Sequence, residues 1–167
     1  FGQKKTEKSQ EIESYPRVLL SSFKPEIIVI ASSTGGPTAL ETVFSKISPP
    51  LQVPILIAQH MPPVFTQILA RRISEISKMP AEEARDGESL EPGKIYIAPG
   101  NYHMSVVDKF GKKVIQLDQR PHRNSVRPAA DFLFESVADI FNQRVLGMVF
   151  TGMGEDGLQG SKAIKKN

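Results

Sequence analysis

The stretch Ile27-Ile28-Val29-Ile30-Ala31-Ser32-Ser33-Thr34-Gly35-Gly36-Pro37 decides how the rest of the chain is read. Four β-branched residues in a row predict a strand buried on both faces, because a strand covered on one side alternates apolar and polar residues. The apolar run stops at two serines and a threonine. Two glycines and a proline follow, and a helical pattern begins at Thr38. Such a junction lifts a small side chain off the carboxyl edge of a sheet and aims a helix N-terminus at it. Glycine tolerates the positive φ of a tight turn, and proline in the first helical turn forfeits no hydrogen bond. A serine held there lies beside free backbone N–H groups, where a nucleophile and an oxyanion site can coexist.

Outward from this stretch, apolar runs alternate with turn signals. Leu40, Val43, Phe44 and Ile47 share one stripe of a helix from Thr38 to Ile47, ended by Pro49-Pro50. Val53 to Ala58 predicts a second strand, ending at Gln59-His60. Pro62-Pro63 opens another helix, with Phe65, Ile68, Leu69, Ile73 and Ile76 at helical spacing. A turn-rich link runs from Ala84 to Gly93, and Ile95 to Ala98 predicts a third strand, stopped by Pro99-Gly100. The segments 104–107 and 113–117 flank Phe110-Gly111 and read as a hairpin. Arg120 to Pro128 is a basic, proline-containing loop. Ala129 to Phe141 is helical, with Phe132, Leu133, Ser136, Val137 and Ile140 inward. Val145 to Phe150 is another buried strand, followed by Thr151-Gly152-Met153-Gly154-Glu155-Asp156-Gly157 and a last helix. The expected fold is α/β: a doubly wound, mostly parallel sheet with helices on both faces and a β-hairpin insertion.

The 167 residues are 40% hydrophobic, enough for one globular domain with a real core. Residues 1–25 are polar and without periodicity, so they read as a linker that Val18-Leu19-Leu20 tacks to a domain spanning 26–167. The net charge of +3 goes with lysines gathered in the tails, among them Lys4, Lys5, Lys165 and Lys166, so no nucleic-acid partner is expected. Cysteine is absent, which excludes disulfides, a thiolate zinc site and a cysteine nucleophile. No apolar run approaches the roughly 18–20 residues of a membrane span, and no secretory signal is present. A cytoplasmic protein without membrane insertion is the expectation.

Function in doubly wound sheets collects at the carboxyl ends of the strands. Here those ends carry Ser33, His60, the segment Pro99-Gly100-Asn101-Tyr102-His103 and the loop from Gly152 to Gly157. Serine, histidine and aspartate at one edge are the set a serine hydrolase needs. A neutral imidazole takes the serine proton, and a carboxylate holds the imidazole tautomer and stabilises its charge. Singly, Ser33 also reads as a helix N-cap, His60 as a loop histidine and Asp156 as a turn residue. Their coincidence at one sheet edge favours the catalytic reading.

Four segments in order, Ser32-Ser33-Thr34-Gly35-Gly36, Gln59-His60-Met61-Pro62, Ile97-Ala98-Pro99-Gly100 and Thr151-Gly152-Met153-Gly154-Glu155-Asp156-Gly157, resemble the catalytic domain of the CheB-type chemotaxis protein-glutamate methylesterases. The resemblance runs from about Ile27 to the end. It implies a triad of Ser33, His60 and Asp156. The order Ser, His, Asp differs from the Ser, Asp, His order of α/β-hydrolases. It also implies hydrolysis of glutamate γ-methyl esters on the cytoplasmic domains of methyl-accepting chemoreceptors, and deamidation of receptor glutamines. A receiver domain upstream of the linker is implied, as is at least one further strand and helix beyond Asn167, so a truncated carboxyl end is expected. One departure stands out: the family pattern is Gly-Ala-Ser-Thr-Gly-Gly, whereas Ala31-Ser32 precedes Ser33 here and adds a hydroxyl.

Around this triad, the Thr34 and Met153 N–H groups are candidates for the oxyanion hole, and Asn101 and His103 for the pocket lining, with a structural loop histidine the other reading of His103. Arg120, Arg123 and Arg127 are candidates to meet an acidic receptor helix or else form a solvated loop; His122 receives no role. No cofactor or metal is expected. Three other readings use the same residues. One is a phosphate- or nucleotide-binding module with Ser33 to Gly36 as an anion nest, although the dinucleotide fingerprint is missing. Another is a metal hydrolase using His60, His103 and Asp156. The third is a non-catalytic interaction domain.

Overall fold

The computed structural model describes residues 23–48 and 50–167. The linker reading of residues 1–25, the Val18-Leu19-Leu20 attachment and the role of Pro49 lie wholly or mainly outside them. Five parallel strands form the central sheet: β1 (Ile27–Ser32), β2 (Ile55–Gln59), β3 (Ala81–Glu83), β4 (Ile95–Ile97) and β7 (Val145–Val149), in the order β3-β4-β2-β1-β7. An antiparallel hairpin, β5 (His103–Lys109) and β6 (Lys112–Asp118), stands apart from it. The helices are α1 (Gly36–Phe44), α2 (Phe65–Ser77), α3 (Ala130–Phe141) and α4 (Leu158–Lys166). Among the described residues no helix is long and apolar enough to cross a membrane.

The uninterrupted apolar run of β1 has the expected cause: all six of its residues are buried, because both faces are covered. Ile28 and Ile30 pack with Leu40 and Phe44 of α1 and with Leu69 and Ile73 of α2. Ile27, Val29 and Ala31 face the other way, onto Leu133, Phe134 and Val137 of α3 and onto the hairpin residues Met104, Val106 and Ile115. The hairpin insertion therefore completes the second core instead of extending the sheet. α4 lies on α3, close enough that a Cβ on Gly160 would sit 2.3 Å from Phe134 Cβ.

Local departures from the sequence reading have identifiable causes. α1 starts two residues earlier than Thr38, with Pro37 in its first turn, and ends at Phe44 rather than Ile47. The buried stripe of α2 is Thr66, Leu69, Ala70, Ile73 and Ser77; Phe65 and Ile68 are exposed, each 56%, and Ile76 is half-buried. Thr66 turns inward because its hydroxyl is used twice, donating to Glu83 and accepting the Gly100 N–H. Phe132 is only half-buried: the guanidinium groups of Arg120 and Arg123 stack on its ring, with the edge of His103 against it. The short strand β3 carries no apolar run that would reveal it.

Candidate active site

β1 and β2 are parallel neighbours in a register that pairs Ser32 with Gln59. The residues immediately beyond them, Ser33 and His60, are thereby placed side by side at the carboxyl edge. The His60 N–H continues the ladder by donating to the Ser32 carbonyl at 3.0 Å. On the other side of β1, the Ser33 N–H donates to the Thr151 carbonyl at 2.9 Å, which draws in the loop after β7. Three strand ends, far apart in sequence, thus meet at one point.

The three side chains form a continuous hydrogen-bonded series. His60 Nδ1 lies 3.1 Å from Ser33 Oγ, and His60 Nε2 lies 2.7 Å from Asp156 Oδ2. The useful neutral tautomer therefore carries its proton on Nε2, donated to Asp156, and leaves the Nδ1 lone pair facing the serine hydroxyl. The Asp156 side chain is only 3% exposed and that of His60 18%. Burial works against the charge of Asp156. Donors from His60, the Ala130 and Asp131 N–H groups and Asn124 outweigh it and hold the carboxyl below its ordinary range.

The backbone donors come from the first turn of α3, at 2.6 Å from Ala130 and 3.1 Å from Asp131. The N-cap of α3, Ala129, has no capping side chain of its own. Asp156 supplies the missing acceptor from another part of the chain, and the positive end of the helix dipole stabilises its charge.

Gln59 belongs to the site although its sequence position marked only a strand end. Its Oε1 accepts the Ser32 hydroxyl at 2.5 Å, which gives the extra hydroxyl of this chain a partner. Its Nε2 donates to the Ser33 carbonyl at 2.9 Å and the His60 carbonyl at 3.1 Å. One buried amide thus braces the backbone of both residues. Two glycines make the approach possible. A Cβ on Gly36 would lie 2.0 Å from Gln59 Oε1, and one on Gly152 would lie 2.6 Å from Ser33 Cβ. A polar residue closing an apolar strand was the signal the sequence offered for Gln59; its full burial came only with the fold. The closeness of Gly36 and Gly152 had none.

A cavity of about 80 Å³ opens between Ser33, His60, Thr151, Gly152, Met153 and Asp156. It has room for the end of one side chain and little else. A wider groove of about 470 Å³ adjoins it, between His60, Pro62, Asn101, His122, Val126 and Arg127. The Thr34 and Met153 N–H groups have no acceptor among the described residues, and the Met153 side chain is 85% exposed. Asn101 does line the groove, in a left-handed conformation with φ 68°, and its Oδ1 accepts two bonds from Arg127.

His103 corrects the expectation of a pocket-lining residue. It is fully buried at the start of β5, where Nδ1 accepts the Ala129 N–H at 3.1 Å and Nε2 donates to the Pro121 carbonyl at 3.2 Å. Burial depresses its pKa and keeps the ring neutral. With both nitrogens engaged it cannot join His60 and Asp156 around a metal. Of the four N–H groups of the anion nest, those of Ser33 and Gly36 are already bonded to the carbonyls of Thr151 and Ser33.

Comparison with known proteins identifies the family. Residues 28–167 match the CheB methylesterase family model. A protein-glutamate methylesterase/protein-glutamine glutaminase of Pyrococcus horikoshii is 48% identical over 139 residues, 83% of this chain and 38% of that protein. A like-named protein of Caulobacter vibrioides is 51% identical over 142 residues, 84% of this chain and 41% of the relative. The crystal structure of the Thermotoga maritima CheB methylesterase catalytic domain superposes with a TM-score of 0.82 at 40% identity, covering 86% of this chain and 76% of that one. The chain thus spans about two fifths of the length of the curated relatives it matches. Family model, relatives and solved fold together establish that this chain belongs to the CheB methylesterase family.

Proposed function

We propose that the chain is a serine esterase that hydrolyses glutamate γ-methyl esters on chemoreceptor cytoplasmic domains, in the cytoplasm. The observation that carries this reading is the unbroken series Ser33 Oγ, His60 Nδ1, His60 Nε2, Asp156 Oδ2. Ser33 Oγ attacks the ester carbonyl carbon as its proton passes to Nδ1. Asp156 stabilises the imidazolium without taking the proton. The oxyanion falls to the Thr34 and Met153 N–H groups. Collapse of the tetrahedral species breaks the bond to methoxide, which leaves as methanol with the proton from Nδ1. Water, activated by the same nitrogen, then cleaves the glutamyl-serine ester and restores both groups. A glutamine carboxamide follows the same course with ammonia as leaving group, which supports a deamidase activity.

The small cavity suits a substrate that offers only the tip of a side chain while its backbone stays outside. Of the three arginines considered for an acidic substrate, Arg120 pairs with Asp118, and Arg123 with Glu135 and Asp131. The bonds of Arg127 go to Asn101 and to the carbonyls of Gln119 and Arg120, neutral acceptors only among the described residues. Its charge is therefore the one left to meet an acidic receptor helix in the groove. An upstream receiver domain is the proposed regulatory partner. Fluorophosphonate treatment followed by peptide mass spectrometry tests the central claim: the adduct is expected on Ser33, and methanol release from a receptor-derived γ-methyl ester should stop with it. An adduct elsewhere, or unimpaired release after Ser33 is blocked, would refute the reading.

A further inference from the structure

Asp156 has a neighbour that takes no part in the steps above. Asn124 Nδ2 lies 3.2 Å from Asp156 Oδ1 and 3.0 Å from Asp131 Oδ2. A primary amide nitrogen has two hydrogens, so one donor group serves both carboxylates. Both acids are buried, Asp131 being 1% exposed. The other titratable or charged groups around the pair are His60, just beyond β2, and Arg123, whose Nε lies 3.5 Å from Asp131 Oδ2 and whose terminal nitrogens are engaged by Glu135. Asp131 also accepts the Gly160 N–H at 2.8 Å, which ties α4 to the same cluster.

The backbone explains how the amide arrives there. Arg123 and Val126 exchange both backbone hydrogen bonds across two residues, Asn124 with φ 54° and Ser125 with φ 64°. Two left-handed central residues in a two-residue turn make a type I′ geometry, for which asparagine is a favoured first residue. The ion pairs of Arg123 with Glu135 and Asp131 anchor the base of the turn on α3. Its tip then overhangs Asp156 from the solvent side.

We propose that Asn124 is a positioning residue for Asp156; this rests on the reading of Ser33, His60 and Asp156 as a catalytic triad. Each oxygen of Asp156 accepts two donors: Oδ2 from His60 and Ala130, Oδ1 from Asp131 and Asn124. The Asn124 bond closes this set, keeps Oδ2 turned toward the imidazole, and places a donor between two like charges that would otherwise repel.

Two variants of the 167-residue chain test this. Asn124→Gly removes the amide while keeping a left-handed backbone without strain. Asn124→Asp keeps the shape but sets a third carboxylate against the other two. Methanol release from a peptide γ-methyl ester is measured across pH, with melting temperature and the Asp156 carboxyl titration by carbon NMR. Asn124→Gly should lower kcat about tenfold with KM within about twofold, and raise the Asp156 pKa. Asn124→Asp should lose more than the glycine variant near about pH 8, the gap narrowing toward about pH 5 as the new carboxyl gains a proton and becomes a donor. A glycine variant with unchanged kcat and an unchanged Asp156 titration overturns the proposal. So do equal losses in both variants at every pH that merely follow melting temperature. If the parent chain neither releases methanol nor takes the fluorophosphonate label, the triad reading fails. The Asp156 titration in the glycine variant then decides the role of Asn124 alone: a raised value supports it and an unmoved one overturns it.

Discussion

Asp156→Asn is the substitution whose consequences the structure specifies most fully. The carboxylate receives four donors, two on each oxygen, from His60, Ala130, Asp131 and Asn124. An asparagine at this position replaces one oxygen by a second donor. Turned either way, its amide nitrogen faces two N–H groups and satisfies neither. His60 can answer by changing tautomer and Asn124 is exposed, so one buried backbone N–H, of Ala130 or of Asp131, is left without its acceptor, and a loss of about 1–3 kcal/mol in stability is expected. If the amide nitrogen faces His60 it favours the proton on Nδ1, the wrong tautomer for accepting from Ser33. A change of this kind costs about 10⁴ in kcat in other triads, and a loss of about 10²–10⁴ is expected here. The stability difference depends on pH. Because the Asp156 pKa is lowered by folding, its charge contributes fully above the unfolded value of about 3.9 and is lost as pH falls through the folded one. The parent and the variant should therefore converge in melting temperature only below about pH 4. Glu155 is the control: it is exposed and contributes only its backbone carbonyl, bonded by the Leu158 N–H. Glu155→Gln should change kcat by less than about threefold. The two variants are compared by kcat for ester hydrolysis and by thermal melts. If Asp156→Asn stays within tenfold of the parent, or Glu155→Gln proves the crippled one, the assignment of the third triad member is wrong.

Three further outcomes follow from the same geometry. Ser33→Ala should abolish fluorophosphonate labelling and esterase activity with the fold intact. Ser32→Ala, which loses only its bond to Gln59, should keep activity and give up about 1 kcal/mol of stability in a denaturant melt; the opposite pattern would move the nucleophile by one residue. Gln59→Ala removes the brace between the Ser33 and His60 carbonyls, and kcat should fall at least about tenfold; an unimpaired variant in a steady-state assay would show that the ladder alone aligns the two residues. Gly152→Ala places a methyl group where Ser33 Cβ stands only 2.6 Å away. It should cut the labelling rate of Ser33 more than about a hundredfold, and normal labelling would mean that the loop gives way.

The sequence by itself determined the fold class and made most of the candidate site legible. Unbroken β-branched runs report strands covered on both faces, and small hydroxyl residues with glycine after such a run report a strand end that turns into a helix. Those signals are local, set by backbone preference and by burial. They sufficed to put Ser33, His60 and Asp156 at one edge of one sheet. Tertiary structure alone decided what each group pairs with. The register of β1 on β2 brings Ser33 beside His60, and the first turn of α3 becomes the anchor of Asp156. α2 buries Thr66, whose hydroxyl meets Glu83 and the Gly100 N–H, and leaves Phe65 exposed, a choice between neighbouring faces that depends on partners distant in sequence. His103 left the pocket because Ala129 and Pro121, 26 and 18 residues away, satisfied its ring nitrogens inside the core. Asn124 looked like one polar residue in a basic loop, since its importance lies in two carboxylates 7 and 32 residues further along the chain. Apolar periodicity is visible within a few residues of sequence, whereas a hydrogen bond between distant segments exists only once packing has fixed where both ends lie.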